Sequence, residues 1–346
     1  MTKIIVYGLG IRGKDFIRYV SELSVELEIV AVSDRCLHEV ESGTEKNIIL
    51  VKPSDIQKYS FDYIVVTPKD YYMDIRNYLL DSGVEKEKIV SVEDMHRKFG
   101  KYYCSDLLEG RLYCNLCSNQ ISAWTYIGLD YDIFHNKKIV GGARRRGGCP
   151  ICGSIDRERF VYYVLKQYTN LMDGGQHNIL HFAPEVLLSQ KLRNRYNSNY
   201  ISADIVPGRA DVVADITKLQ FSEGTFEYII CNHVMEHISL EEKAFHEIRR
   251  CLMPGGMLIL TVPICWEQKT FEDEKITTKE ERIKFYGQKD HVRLYGYDIV
   301  ERVKKFGFRV TLIRCNQILE EDEILKYGFI SEDVVLLCEK AEMEKG

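Results

Sequence analysis

Short runs of β-branched and apolar residues alternate with helical patterns twice along this 346-residue chain, and that alternation restricts it to architectures built on parallel sheets. Over residues 1–97 the strand-like runs are Lys3–Tyr7, Glu28–Ser33, Asn47–Val51, Tyr63–Thr67 and Lys88–Val92, with helical patterns over Lys14–Leu23 and Tyr71–Ser82. Over residues 171–346 they are Asn178–Phe182, Tyr200–Asp204, Tyr228–Asn232 and Met257–Val262, followed by Phe308–Arg314 and Val334–Cys338. The predicted fold class is α/β: a small Rossmann-like domain in front and a larger doubly wound sheet behind.

Residues 98–170 break this rhythm. They hold much Gly and Arg, little periodicity and two tight cysteine pairs, Cys114-Asn-Leu-Cys117 and Cys149-Pro-Ile-Cys152. Four thiolates in two knuckles suit a tetrahedral Zn²⁺ ion, so a zinc-ribbon-like module is predicted here. The 31 residues between the pairs exceed the spacing of a compact ribbon, which requires an insertion between the knuckles. No His or carboxylate stands in the knuckles and no coordination position is left open, so the metal is expected to be structural. Cys104 is a further candidate ligand. The remaining cysteines, such as Cys231 and Cys251, lie in apolar contexts and read as core residues. The run Arg144-Arg145-Arg146 reads as a solvated face, with a phosphate-bearing ligand as the alternative.

Charge narrows the partners. A formal charge of −5 and a pI near 6.0 give no global field for a polyanion, which ranks nucleic acid behind small molecules. No apolar stretch reaches the roughly 18 to 20 residues of a membrane span. Met1-Thr2-Lys3 leads into a strand-like run instead of a signal peptide, so a cytoplasmic chain is expected. The Glu/Lys-rich end after Cys338 reads as a frayed tail.

Seven motifs together carry a resemblance: Cys149-Pro-Ile-Cys152-Gly-Ser-Ile-Asp-Arg157-Glu-Arg159, Ile179-Leu-His-Phe-Ala-Pro-Glu185, Tyr200-Ile-Ser-Ala-Asp204, Ala214-Asp215-Ile216, Cys231-Asn-His-Val-Met-Glu-His237, Leu252-Met-Pro-Gly-Gly256 and Asp290-His-Val-Arg-Leu-Tyr295. Residues 149–312 thereby resemble a bacterial group of class I methyltransferases, of the broad type 11 class, in which a zinc knuckle precedes a domain that binds S-adenosylmethionine. The resemblance implies that the last two strands form a terminal antiparallel pair. It also implies that Asp215 meets the adenine amino group, that Ile216 covers the ring, and that Ile205, Asn232 and His233 line the same site.

Physical reasoning reaches Asp204 independently. It closes a strand about twenty residues past the first strand's loop, where a carboxylate accepts hydrogen bonds from two ribose hydroxyls. One departure stands out: His181-Phe182-Ala183-Pro184-Glu185 replaces the usual Gly-rich loop. Ala183 is small enough for close approach, and Glu185 suits the cofactor's ammonium group. Pro254-Gly255-Gly256 reads as a turn between helix and strand.

Methyl transfer to a hydroxyl needs a base. His291 beside Asp290 is the first candidate, in a polar excursion from Cys265 to Tyr295 that reads as a cover over the acceptor. His237 and His233 are alternatives, and each of the three also fits a structural role.

In the front segment, Gly8-Leu-Gly10-Ile-Arg-Gly13 follows a strand and opens a helix, with Asp34 ending the next strand. Such a loop admits a diphosphate to a helix N-terminus. The segment resembles small nucleotide-sugar-binding domains of bacterial glycan-modifying enzymes, which favours a nucleotide sugar over NAD, while a scaffolding role stays open. The leading functional expectation is O-methylation of a sugar in surface-polysaccharide or nucleotide-sugar biosynthesis. The rivals are a zinc-ribbon ribosomal-RNA methyltransferase and a non-catalytic ligand-binding scaffold. The expected layout is 1–97, 98–170 and 171–346.

Overall fold

The computed structural model describes residues 1–23, 27–35, 48–69, 71–99, 112–121 and 123–341; Cys104 lies outside them. Two compact units divide the chain, one of Met1–Ile127 with Arg146–Ile155, the other of Gly128–Arg145 with Asp156–Gly346. Neither 97 nor 170 is a boundary between them.

In the first unit, β1 (Thr2–Tyr7), β2 (Leu27–Ser33), β3 (Leu50–Val51), β4 (Tyr63–Val66) and β5 (Ile89–Ser91) form a parallel sheet in the order β3-β2-β1-β4-β5. The side-chain period of two sorts β1 between two cores. Ile4 and Val6 pack with Phe16, Tyr19 and Val20 of the helix Ile11–Leu23, while Ile5 and Tyr7 pack with Ile75 and Leu79 of the helix Tyr72–Asp81. Burial on both faces is why β1 reads as an unbroken apolar run. This unit also contains the hairpin β6 (Leu112–Cys114) and β7 (Asn119–Ile121), and the pair β8 (Thr125–Ile127) and β9 (Arg145–Gly148), whose first residue is counted with the second unit.

The second unit is built on β10 (Ile179–Phe182), β11 (Tyr200–Asp204), β12 (Val212–Val213), β13 (Phe226–Asn232), β14 (Leu252–Thr261), the short pair β15 (Ile264–Cys265) and β16 (Tyr295–Gly296), β17 (Phe308–Arg314) and β18 (Val334–Lys340). Its seven-stranded sheet runs β12-β11-β10-β13-β14-β18-β17, and β18 alone runs opposite to the other six strands. From β10 the chain winds outward through β11 and β12, then returns to β13 on the other side of β10. The carboxyl ends of β10, β11 and β13 therefore flank the switch point, where a doubly wound sheet leaves a crevice. One face buries Leu180, Ile229, Cys231, Leu258 and Leu260 against Ala244, Phe245 and Ile248 of the helix Glu241–Cys251. The other buries Ile179, Ile230 and Ile259 against Phe160 and Val164 of the helix Asp156–Tyr168. Phe245, stacked on Phe306, is one such anchor, worth roughly 2 to 3 kcal/mol of buried apolar area.

Three expectations change. Pro254-Gly255-Gly256 is not a separate turn: Leu252 already pairs with Phe226, and the three residues form an irregularity inside β14, with Gly255 at φ 71°. Arg145 is not a solvated arginine: its guanidinium pairs with the buried Asp156 at 2.5 Å and donates to the carbonyls of Gly141 and Ala143, because a buried carboxylate requires a cation. The end of the chain is ordered strand to Lys340, with residues from 342 outside the described set.

The excursion Cys265–Tyr295 has its own structure. The helix Lys279–Tyr286 is started by a capping box between Thr278 and Glu281 and ended by Gly287 at φ 90°. Its Tyr286, with Cys265 and Leu294, packs on Ile133, Phe134 and Ile139 from the insertion between the knuckles.

Candidate active site

At the end of β10 the backbone turns through Ala183 at φ 44°, and the Ala183 N–H donates to the Ala203 carbonyl at 2.8 Å. His181 behind this turn is fully buried, hydrogen-bonded through Nδ1 to the Tyr200 hydroxyl at 2.9 Å and through Nε2 to the Glu185 carboxylate at 2.8 Å. An ionised carboxylate only accepts, so the Nε2 proton points at Glu185. Burial alone pushes the Glu185 carboxyl up, but the His181 hydrogen bond and charge hold it below the usual glutamate range. The loop that replaces glycines is thus braced from beneath by a Tyr–His–Glu chain.

Asp204 ends β11 half-exposed, its Oδ1 accepting from the Val206 N–H at 2.8 Å. Ile205 beside it is 67% exposed, whereas Ile216 is 4% exposed and belongs to the core. Asp215 accepts from the backbone N–H and hydroxyl of Thr217, first the N–H and then the hydroxyl holding its carboxyl below the ordinary range. Asn232 ends β13; its Oδ1 accepts from the Thr261 hydroxyl at 3.1 Å, and its side-chain amide helps hold the Glu185 carboxyl low. His233 follows at φ 52°, its Nδ1 3.2 Å from Oε1 of Glu236. Ala183 and Glu185, Asp204, and Asn232 and His233 thus come to adjacent strand ends, while Asp215 and Ile216 follow β12.

The histidine expectations need one correction. Asp290 does not orient His291: its carboxylate lies 3.6 Å from Nδ1 of His237, and its carbonyl 3.3 Å from the same nitrogen. His291, 2% exposed, instead places Nδ1 3.3 Å from the Tyr286 carbonyl. Adjacent residues point in different directions from an irregular turn, so sequence proximity did not fix the pairing. His237 and His291 meet edge to face, ring centroids 4.7 Å apart, and Glu236 completes the group. Glu236, His181 and Tyr200 were not singled out from sequence; the signals were the spacing His233-x-x-Glu236-His237 and a histidine next to the anomalous Ala183.

The four knuckle cysteines converge in the first unit, their sulfurs within 4.8 Å of one another. Cys114 and Cys152 are 3.7 Å apart, Cys117 and Cys149 3.9 Å. Both knuckles turn through a positive φ, at Ser118 (59°) and Gly153 (74°), and backbone N–H groups of those residues bond to the carbonyls of Cys114 and Cys149.

In the glycine loop after β1, Gly8 has φ 111°, and a Cβ on Gly13 would lie 1.9 Å from the Gly8 carbonyl oxygen, so the helix meets the loop only without a side chain there. Around Gly10 the space is open. Oδ2 of Asp34 accepts from the Leu9 N–H at 2.6 Å and so braces this loop.

Residues 177–260 match the family described as "Methyltransferase domain", and residues 1–90 match "C2185-like, N-terminal". The chain thus carries a methyltransferase domain. Two curated relatives come from Methanocaldococcus jannaschii: the uncharacterized protein MJ1123, 26% identical over 98 residues (28% of this chain, 45% of that protein), and the uncharacterized protein MJ0638, 37% identical over 76 residues (21% and 33%). The chain spans less than half the length of either relative. Among solved structures, the YcgJ protein of Bacillus subtilis is 13% identical with a TM-score of 0.33, over 49% of this chain and 93% of that one. The PH0226 protein of Pyrococcus horikoshii OT3 is 18% identical with a TM-score of 0.33, over 54% and 92%.

Proposed function

We propose that this chain is an S-adenosylmethionine-dependent methyltransferase that O-methylates a sugar, free in a nucleotide sugar or within a surface polysaccharide. The observation carrying the reading is the set of groups at the carboxyl ends of β10, β11 and β13, in the stretch that matches the methyltransferase domain. The residues suit this cofactor. Asp204 offers an acidic acceptor to the ribose hydroxyls, Ala183 a backbone turn with no bulk above it, and Glu185 a carboxylate for the ammonium group. The buried Asn232 side chain, beside Glu185, offers a further amide donor to the cofactor's carboxylate, with His233 alongside. Asp215 serves the adenine amino group. Of the two isoleucines, Ile205 has the exposed side chain that covering the ring requires, whereas Ile216 is buried in the core.

When bound, the cofactor supplies a sulfonium-activated methyl group, so the chain's task is alignment and removal of the acceptor's proton. That proton leaves at the cluster of His237, His291 and Asp290. The Cys114, Cys117, Cys149 and Cys152 group holds a structural Zn²⁺. A tetrahedral ion with bonds of about 2.3 Å has sulfur–sulfur edges of about 3.8 Å, and the Cys114–Cys152 and Cys117–Cys149 separations are 3.7 and 3.9 Å. The front domain, Rossmann-like in its strand order, presents Gly8, Gly10 and Gly13 to a nucleotide-sugar diphosphate, with Asp34 holding the loop in shape.

Labelled S-adenosylmethionine offered side by side to nucleotide sugars, surface-glycan fragments and ribosomal RNA tests the acceptor. Label in a sugar is expected; label in RNA alone would overturn the sugar reading. In the same assay His291→Gln lowers turnover by about 10² to 10⁴ with cofactor affinity nearly unchanged. A fall in cofactor affinity of the same size would make His291 a structural residue.

A further inference from the structure

Glu236, His237 and His291 each offer one ligand atom, and the three atoms lie within 4.8 Å of one another. Glu236 is 1% exposed, and its Oε2 has no hydrogen-bond partner. Among the described residues it pairs with His233, not with a lysine or arginine. A buried carboxylate oxygen left in this state is costly unless something absent from the polypeptide satisfies it. The two histidines are prepared in the same sense. Nδ1 of His237 faces the Asp290 carbonyl and Nδ1 of His291 faces the Tyr286 carbonyl, both at 3.3 Å. A carbonyl can only accept, so each Nδ1 carries the proton and each Nε2 keeps its lone pair. Fixing one ring nitrogen by an outward hydrogen bond is how proteins orient a metal-bound imidazole.

We propose that Glu236, His237 and His291 bind a divalent transition-metal cation of the zinc or cobalt type, through two imidazole nitrogens and one carboxylate oxygen. Two histidines and one carboxylate leave coordination positions open, the pattern of reactive rather than structural centres. Ligand bonds of about 2.0 to 2.2 Å require the three atoms to draw together by under about an ångström. His237 supplies the accessible side, its side chain 32% exposed. The role of the ion rests on the methyl-transfer reading: with the ion bound, an acceptor hydroxyl taken as a further ligand would be acidified and would give its proton to water, and only with the site empty would an imidazole of the same cluster take that proton. Binding of the ion does not rest on that reading.

The test uses the full chain as purified, with its cysteine site filled, titrated with Co²⁺ in a calorimeter and followed by visible absorption. Thiolate-to-cobalt charge transfer reports the cysteine site and is absent from a nitrogen and oxygen site, which separates the two. One further equivalent without charge transfer is expected, weakened at least tenfold by Glu236→Gln and by His291→Gln. It should be unaffected by His246→Gln, an exposed histidine on the helix Glu241–Cys251 whose side chain is 62% exposed. No further equivalent in the wild-type chain overturns the site, whether or not the variants fold; so does an equivalent that both folded variants retain. The titration contains neither cofactor nor acceptor. Cobalt bound in a chain that methylates nothing leaves the site standing and removes the function. Methylation that is undiminished when no such equivalent binds does the reverse.

Discussion

Ala183 holds φ 44° without being glycine, a conformation that costs a residue with a Cβ of order 1 kcal/mol or more. The strain is tolerated because the turn is tied on both sides, by the Ala183 N–H to Ala203 and by His181 beneath Glu185. Ala183→Val should therefore lose roughly 1 to 2 kcal/mol in urea unfolding, since a β-branched side chain tolerates this region least, while Ala183→Gly stays within about 1 kcal/mol of the parent. Equal stability of the valine and glycine variants would show the turn to be unstrained. Asp333 is a second residue with a legible consequence. Burial and the neighbouring Asp156 carboxylate push its carboxyl up to about 7, against about 3.9 in an unfolded chain. The folded state thus keeps a proton that the unfolded state has released, and stability falls as pH rises from about 4 to about 7, then levels. Asp333→Asn should flatten that slope and raise stability at pH 8 by roughly 2 kcal/mol; thermal unfolding at pH 5 and pH 8 measures both. At this scale the sequence shows which residues carry charge and strain, as with the non-glycine loop around Ala183. It does not show that His237 meets His291 more than fifty residues away, because that contact depends on how an irregular turn aims two side chains.

Among the elements, the knuckles make the sharpest prediction. Small turns such as these bury little apolar surface of their own, so a bound ion carries much of their stability. Cys149→Ser should lower zinc content from about one per chain to well below half and destabilise the first unit, as read by elemental analysis and proteolysis. A variant with full zinc and unchanged protease resistance would refute the four-thiolate site. Element boundaries were legible where a strand is buried on both faces or pairs along its length: Phe308–Arg314 is both the expected and the observed span of β17. The helix Lys279–Tyr286 was written in the sequence as Thr278-Lys-Glu-Glu281 and Gly287, yet its polar surface gave no apolar period and it read as part of one long excursion.

At the scale of the whole molecule, two parallel sheets were visible in the alternation of runs, because that pattern follows from burial alone. The division of the middle segment was not. The cysteine pairs belong to the first unit and the intervening Gly128–Arg145 to the second, a partition set by which apolar surfaces Ile133, Phe134 and Ile139 find. In the second unit, we propose the carboxyl edge of the seven-stranded sheet as the site of S-adenosylmethionine, held through Asp204. Calorimetric titration of S-adenosylmethionine into this 346-residue chain and into its Asp204→Ala variant tests it most directly. One site per chain is expected in the parent and at least a tenfold loss of affinity in the folded variant, since hydrogen bonds to a carboxylate worth roughly 1 kcal/mol or more are removed. No heat of binding in the parent, or equal affinity in the two proteins, would contradict it.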